Sequence, residues 1–149
     1  MRRLRALFFA FVLFAAPLCA ARDLAIVVNQ GNPALTVTVA ELEKLLKAAT
    51  QTWPDGKKVK VILTDPGSPD TKILLQRAYK LSPAEIKSLA DAHRADIQIV
   101  SSDDIVLTMV ESTLGAIGIV NVYSINSHVK VLKVDDKLPM EAGYLLHGN

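Results

Sequence analysis

Cysteine is almost absent from this chain: 149 residues carry one, Cys19. Long apolar runs are equally scarce. The single one, from Ala6 to Ala16, follows Arg2, Arg3 and Arg5 and precedes Pro17 and small residues. It is shorter than the ~20 residues a membrane-spanning helix needs, and basic start, apolar centre and small-residue end together make a secretory signal peptide. The expected organisation is a signal peptide over residues 1–21 and one domain over residues 22–149. Cleavage after Ala20 or Ala21 fits the small-residue rule, and either site removes Cys19. The mature chain then has no thiol, which excludes disulfides and cysteine-based metal or redox chemistry. The alternative is a lipoprotein that keeps Cys19 as its acylated first residue, although Ala16-Pro17-Leu18 matches that signal poorly. With cleavage after Ala20 or Ala21 the product is periplasmic or secreted, with no membrane insertion.

An excess of one charge sign is also missing. Lys and Arg number 17 against 15 Asp and Glu, and loss of Arg2, Arg3 and Arg5 takes 17 to 14, a balance of −1. No basic nucleic-acid footprint is present. Removing 21 residues leaves 128, enough for one compact core and too few for two. His93, His128 and His147 lack metal-ligand spacing, so neither a metal nor another cofactor is expected. Ser101, Ser102, Ser112 and Ser124 have no His and Asp arrangement around them, and no catalytic residue stands out. Asp103 with Asp104 and Asp135 with Asp136 are adjacent pairs whose side chains diverge; dipole complementation or a solvated turn explains them.

What is present is an alternation of strand-length apolar runs with amphipathic helical segments, the pattern of an α/β fold built as a single sheet with flanking helices. Leu24 to Val28 is a buried-strand run closed by Asn29, Gly31, Asn32 and Pro33. Thr38 with Glu41 makes a capping box before the apolar stripe Leu42, Leu45 and Leu46. Val59 to Leu63 is a second strand, and Ser82 to Glu85 opens another helix. Ile97 to Val100 reads as a strand, and Ser102 caps a helix with Asp103 and Asp104 in its first turn. Gly115 stops that helix before strands at Ala116 to Val122 and Val129 to Val134. Trp53 precedes the Pro54-Asp55-Gly56 turn and is expected to pack rather than bind.

The segment from Val61 to Thr71 is the most informative. A short strand passes through Gly67-Ser68 into a helix start at which Ser68 can cap and Pro69 can take the first helical position. Free N–H groups and the positive end of the macrodipole make such a junction a seat for phosphate, sulfate or a carboxylate. Capping alone explains the same residues, so a purely structural role stands beside the ligand role.

The ordered set of Asp23 to Asn29, Asn32-Pro33, the helix from Thr38, Trp53, Gly67-Ser68, Gly115 to Gly118 and Val129 to Val134 resembles the phosphate-binding periplasmic component of ABC-type phosphate uptake. The resemblance runs from about Asp23 to Tyr144 and implies one lobe of a type II periplasmic binding protein, a solute binder and not an enzyme. It implies ligand contacts at Thr64, Gly67, Ser68, Asp70 and Thr71, and a hinge or interface at Gly115, Gly118, Ile119 and Tyr123. The family's site resembles an Arg, two spacers and Gly-Ser-Gly-Thr. Here Thr64 stands in the Arg position, Gly67 and Ser68 match, and Pro69 and Asp70 replace Gly and Thr. A bidentate donor and one backbone N–H are therefore lost, and Asp70 adds a repelling carboxylate.

The family's other lobe has no counterpart in this sequence, so a hinged closure within the chain is not expected. The leading expectation is recognition of a small anion, phosphate or a phosphate-bearing compound, in association with an ABC transporter. Asp65 and Asp70 leave a cationic ligand as the contrary case. The alternative is a ligand-free module that docks on an envelope sensor or transporter component through Gly118 to Tyr123. A homodimer of facing lobes is the third possibility.

Overall fold

The computed structural model describes residues 22–148; the signal-peptide segment, its cleavage sites and Cys19 lie outside the described residues. One six-stranded sheet runs through the domain. Its strands are β1 (Leu24–Asn29), β2 (Thr36–Val37), β3 (Lys60–Leu63), β4 (Ile97–Ile99), β5 (Ala116–Asn121) and β6 (Val129–Val134), in spatial order β2-β6-β1-β5-β3-β4. β3 lies parallel to both β4 and β5, while β1 is antiparallel to β5 and β6. The carboxyl ends of β3, β4 and β5 therefore share one edge of the sheet with the start of β1, where Leu24 pairs with Asn121.

All six residues of β1 are buried, because helices cover both faces of the sheet and alternate side chains go to opposite sides. Leu24, Ile26 and Val28 join one core with the helices α1 (Val39–Leu46), α2 (Lys72–Tyr79) and α3 (Pro83–Ala92). Ala25 and Val27 join a second core beneath α4 (Asp103–Ser112), which supplies Val106, Leu107 and Val110. The α/β class expected from the sequence is the class observed. Among the described residues no helix is long and apolar enough to cross a membrane.

Local chemistry sets most of the helix starts. Thr38 and Ser82 each form the full capping box with Glu41 and Glu85, and the Ser102 hydroxyl accepts from the Ile105 N–H. The expected start of α2 is corrected: the helix begins at Lys72, not at Pro69, and the hydroxyl of its flanking residue Thr71 makes no capping bond. Ser68 contributes through its carbonyl, which accepts from the Thr71 and Lys72 N–H groups and closes a turn ahead of the helix.

Gly115 is also corrected. α4 ends three residues before it, and Gly115 is a site of close approach, where an added Cβ would stand 1.8 Å from the Lys58 carbonyl oxygen. Its own carbonyl accepts from the Trp53 indole at 2.9 Å, so Trp53 is a buried packing residue as expected. Beyond β6 the chain folds back as a strap. The Tyr144 hydroxyl donates to the Leu24 carbonyl at 2.8 Å, and Met140 N–H, Gly148 N–H and His147 Nδ1 all meet the buried carboxylate of Asp23.

Candidate functional site

A small pocket opens at the edge where β3, β4 and β5 end, the place where ligands collect on open α/β sheets. Leu24, Leu63, Leu75 and Ile119 give it an apolar floor, and Thr64, Thr71, Asp103 and Asn121 bring polar groups to it. Each is there because of an element end. Thr64 follows β3, Thr71 precedes α2, Asp103 opens α4 and Asn121 ends β5. The volume is about 10 Å³, room for about one water molecule.

The Thr71 hydroxyl is buried and has no hydrogen-bond partner among the described residues. A buried unpaired hydroxyl is costly, on the order of 1–3 kcal/mol. Asp103, by contrast, is engaged through one oxygen: its Oδ2 accepts from the Asn121 N–H at 2.9 Å and the Ser124 hydroxyl at 2.7 Å. It thereby pins the end of β5, and the short 3-10 turn Val122–Ser124 after it, to the start of α4. The sequence assigns Asp103 only to the helix dipole. Its partners lie far along the chain and nothing local announces them.

The seat expected at residues 64–71 is already in use. Asp65 Oδ1 accepts from the Gly67 N–H at 2.9 Å and meets Lys87 Nζ at 3.3 Å, while the Asp65 carbonyl accepts from the Ser68 N–H at 3.2 Å. The Gly67 N–H, and after it Lys87, hold the Asp65 carboxyl below its ordinary value. Asp65 thus acts as an internal anion for this turn, and a ligand at Gly67 or Ser68 competes with it.

The structure brings Thr64, Thr71 and Ile119 together in the pocket and sets Gly67, Ser68 and Asp70 in the turn beside it. Gly115 lies at the opposite end of β5, away from the pocket. Gly118 sits under α4, where a Cβ would come within 2.6 Å of Val106 Cγ1, so it serves packing between sheet and helix. The proposed docking surface from Gly118 to Tyr123 needs correction. Gly118, Ile119 and Val120 are inside the sheet, and Tyr123 is the exposed member, at 70 %. The Arg22 guanidinium stacks over the Tyr123 ring at 5.2 Å from its centre. Lys72 opens α2 directly after Thr71, so this edge has cationic residues although Thr64 itself is uncharged. Among the described residues no group of three or more His, Cys, Asp or Glu could hold a metal ion.

No family model and no curated protein matches the chain. Solved structures do. An ABC-type phosphate transport receptor from Vibrio cholerae superposes with a TM-score of 0.69 at 22% identity, over 85% of this chain and 54% of its own. A putative phosphate ABC transporter substrate-binding protein from Clostridium perfringens, solved with bound phosphate, gives 0.64 at 18% identity, over 77% of this chain and 46% of its own. PstS from Borrelia burgdorferi gives 0.62 at 22% identity, over 80% and 49%. The chain spans about half the length of these proteins, and it has the fold of a lobe-sized part of them.

Proposed function

We propose that this chain recognises a small oxyanion, phosphate or a phosphate-bearing compound, without catalysing a reaction, at the mouth of the Thr64–Thr71 pocket. The observation that carries this is the buried, unpaired Thr71 hydroxyl lining a pocket at the carboxyl ends of parallel strands. Supporting it, α2 begins beside Thr71, and the similar solved proteins are phosphate receptors or substrate-binding proteins. In this proposal residues 1–21 are a signal peptide, residues 22–149 are the binding domain, and the protein works outside the cytoplasm with an ABC-type uptake system.

The electrostatics define what kind of binder it is. Thr64 offers a hydroxyl and no charge, Asp65 and Asp70 stand in the adjoining turn, Lys87 is paired with Asp65, and Arg22 and Lys72 are further cationic residues near this edge. The anion then gains fewer charge-assisted hydrogen bonds than an arginine site provides, each of which contributes about 1.5–3 kcal/mol. Weak, salt-sensitive binding follows, with Thr64 and Thr71 as hydroxyl donors, the turn at Gly67 and Ser68 as a competing contact, and Asp70 as a brake on charge.

Calorimetric titration with phosphate, sulfate and a cationic control at fixed ionic strength tests this. Saturable phosphate binding that weakens about tenfold in Thr71→Val, the loss of one hydroxyl contact, is the expected result. No saturable heat with phosphate, or preferential binding of the cation, would overturn it.

A further inference from the structure

Asn121 closes β5 at the pocket, and the strand register says which way it faces. Directly paired residues of an antiparallel pair share a face of the sheet, and Asn121 pairs with Leu24, a member of the core under α1, α2 and α3. Ile119 and Ile117, earlier on the same strand at alternate positions, belong to that core as well. Thr71 flanks α2, one of those helices. Asn121 therefore stands on the same side of the sheet as the unpaired Thr71 hydroxyl, and both residues line the pocket.

The two ends of the Asn121 amide are not equivalent. The Tyr123 N–H, which can only meet an acceptor, donates to Asn121 Oδ1 at 3.0 Å, so the oxygen is committed to the turn Val122–Ser124. That bond fixes the orientation of a group whose oxygen and nitrogen are otherwise interchangeable. Nδ2 is left with its N–H donors and makes no hydrogen bond among the described residues. The backbone beneath it is held too, because Asp103 Oδ2 accepts from the Asn121 N–H and from the Ser124 hydroxyl. A donor fixed in this way loses little freedom when a ligand takes it.

We propose that Asn121 is a ligand-contacting residue that sets the polarity of this pocket, its Nδ2 and the Thr71 hydroxyl donating to oxygens of one ligand. This rests on the oxyanion reading and adds a selection rule to it. The hydroxyls of Thr64 and Thr71 donate or accept by rotation, so they do not choose between ligands. Asn121, with Oδ1 taken, offers donors alone, and the group it meets must be an acceptor. A phosphate oxygen qualifies; an ammonium or guanidinium group, which has donors and no acceptor, does not. Asp103 brings a carboxylate to the same pocket, and a cationic ligand would turn to it and leave Asn121 untouched.

Side-chain amide NMR on isotope-labelled protein produced from the full chain, titrated with inorganic phosphate at fixed pH and ionic strength, decides it. The Asn121 NH2 signals are identified by their loss in Asn121→Ser, which keeps a hydroxyl able to accept from Tyr123 and removes the amide donors. At least one Asn121 NH2 proton should move downfield and saturate together with the Thr71 amide. Asn121→Ser should weaken phosphate about tenfold, the loss of one hydrogen bond to a charged ligand, with its melting temperature unchanged. Saturation of the Thr71 amide while the Asn121 NH2 stays still, or Asn121→Ser binding phosphate as tightly as the original chain, would overturn this inference and leave the oxyanion reading standing. No saturable shift anywhere with phosphate, or a response to guanidinium in its place, would overturn both.

Discussion

Tyr79 is sealed in the core at the end of α2, and its hydroxyl meets no described group. Burial pushes its phenol well above the ordinary value, and Tyr144 is shifted in the same direction by burial and by Asp23. A raised value means that the folded state keeps a proton the unfolded state has lost. Stability is therefore whole below about pH 10 and falls as pH rises beyond it. Tyr79→Phe removes an unpaired buried hydroxyl and should stabilise the protein by about 1 kcal/mol, with a shallower alkaline loss in denaturant melts followed from pH 8 to 11. Gly118→Ala should do the opposite, costing about 1–3 kcal/mol, because its Cβ meets Val106 at 2.6 Å and Val110 at 2.9 Å; the same melts measure it. At this scale Trp53 was readable, since a large aromatic beside a turn has few places to go. The roles of Asp103 and Gly118 were not, because each depends on a neighbour that only the folded sheet supplies.

The turn from Asp65 to Thr71 and the strap from Leu138 to Gly148 are the two elements that shape the pocket edge. The turn is fastened by the Asp65 carboxylate, whose lowered value has a definite sign. Its contribution is present above the ordinary aspartate value of about 3.9 and is lost as pH falls through the depressed folded value. A pH titration by NMR should show the Gly67 amide moving together with the Asp65 carboxyl, below the range of ordinary aspartates, and Lys87→Ala should move that transition upward. The strap is fastened by Asp23, which is 5 % exposed and receives Met140 N–H at 2.5 Å, Gly148 N–H at 3.0 Å and His147 Nδ1 at 2.8 Å. Met140 is held there at φ 74, a left-handed conformation that a residue with a side chain adopts at a cost. Asp23→Ala should destabilise the fold by about 3 kcal/mol and strip hydrogen-exchange protection from Met140 and Gly148 before the central strands. Three of the four helix starts were legible: for α1 and α3 a hydroxyl and a glutamate three residues on are a local code, and for α4 a serine followed by two aspartates is another. The start of α2 was not, since Ser68 uses its carbonyl there, and β2 is too short to show a period and exists through pairing with β6.

On the scale of the whole molecule, the strand order sends three parallel carboxyl ends, the start of β1 and the first turns of α2 and α4 to one edge. Thr64 and Thr71 could be named from the sequence because they flank one strand-turn-helix junction. Asn121 and Arg22 could not, because their nearness follows from β1 pairing with β5, a contact between distant parts of the chain. The central claim is that this edge receives an oxyanion. The most direct measurement is an amide chemical-shift titration of the isotope-labelled protein with phosphate, sulfate as the competitor. Saturable shifts confined to Thr64, Thr71, Lys72 and Asn121, reduced in Thr71→Val, are the predicted result. No saturable shift at millimolar phosphate, or shifts gathered around Gly31 and Leu114 at the far end of the sheet, would contradict it.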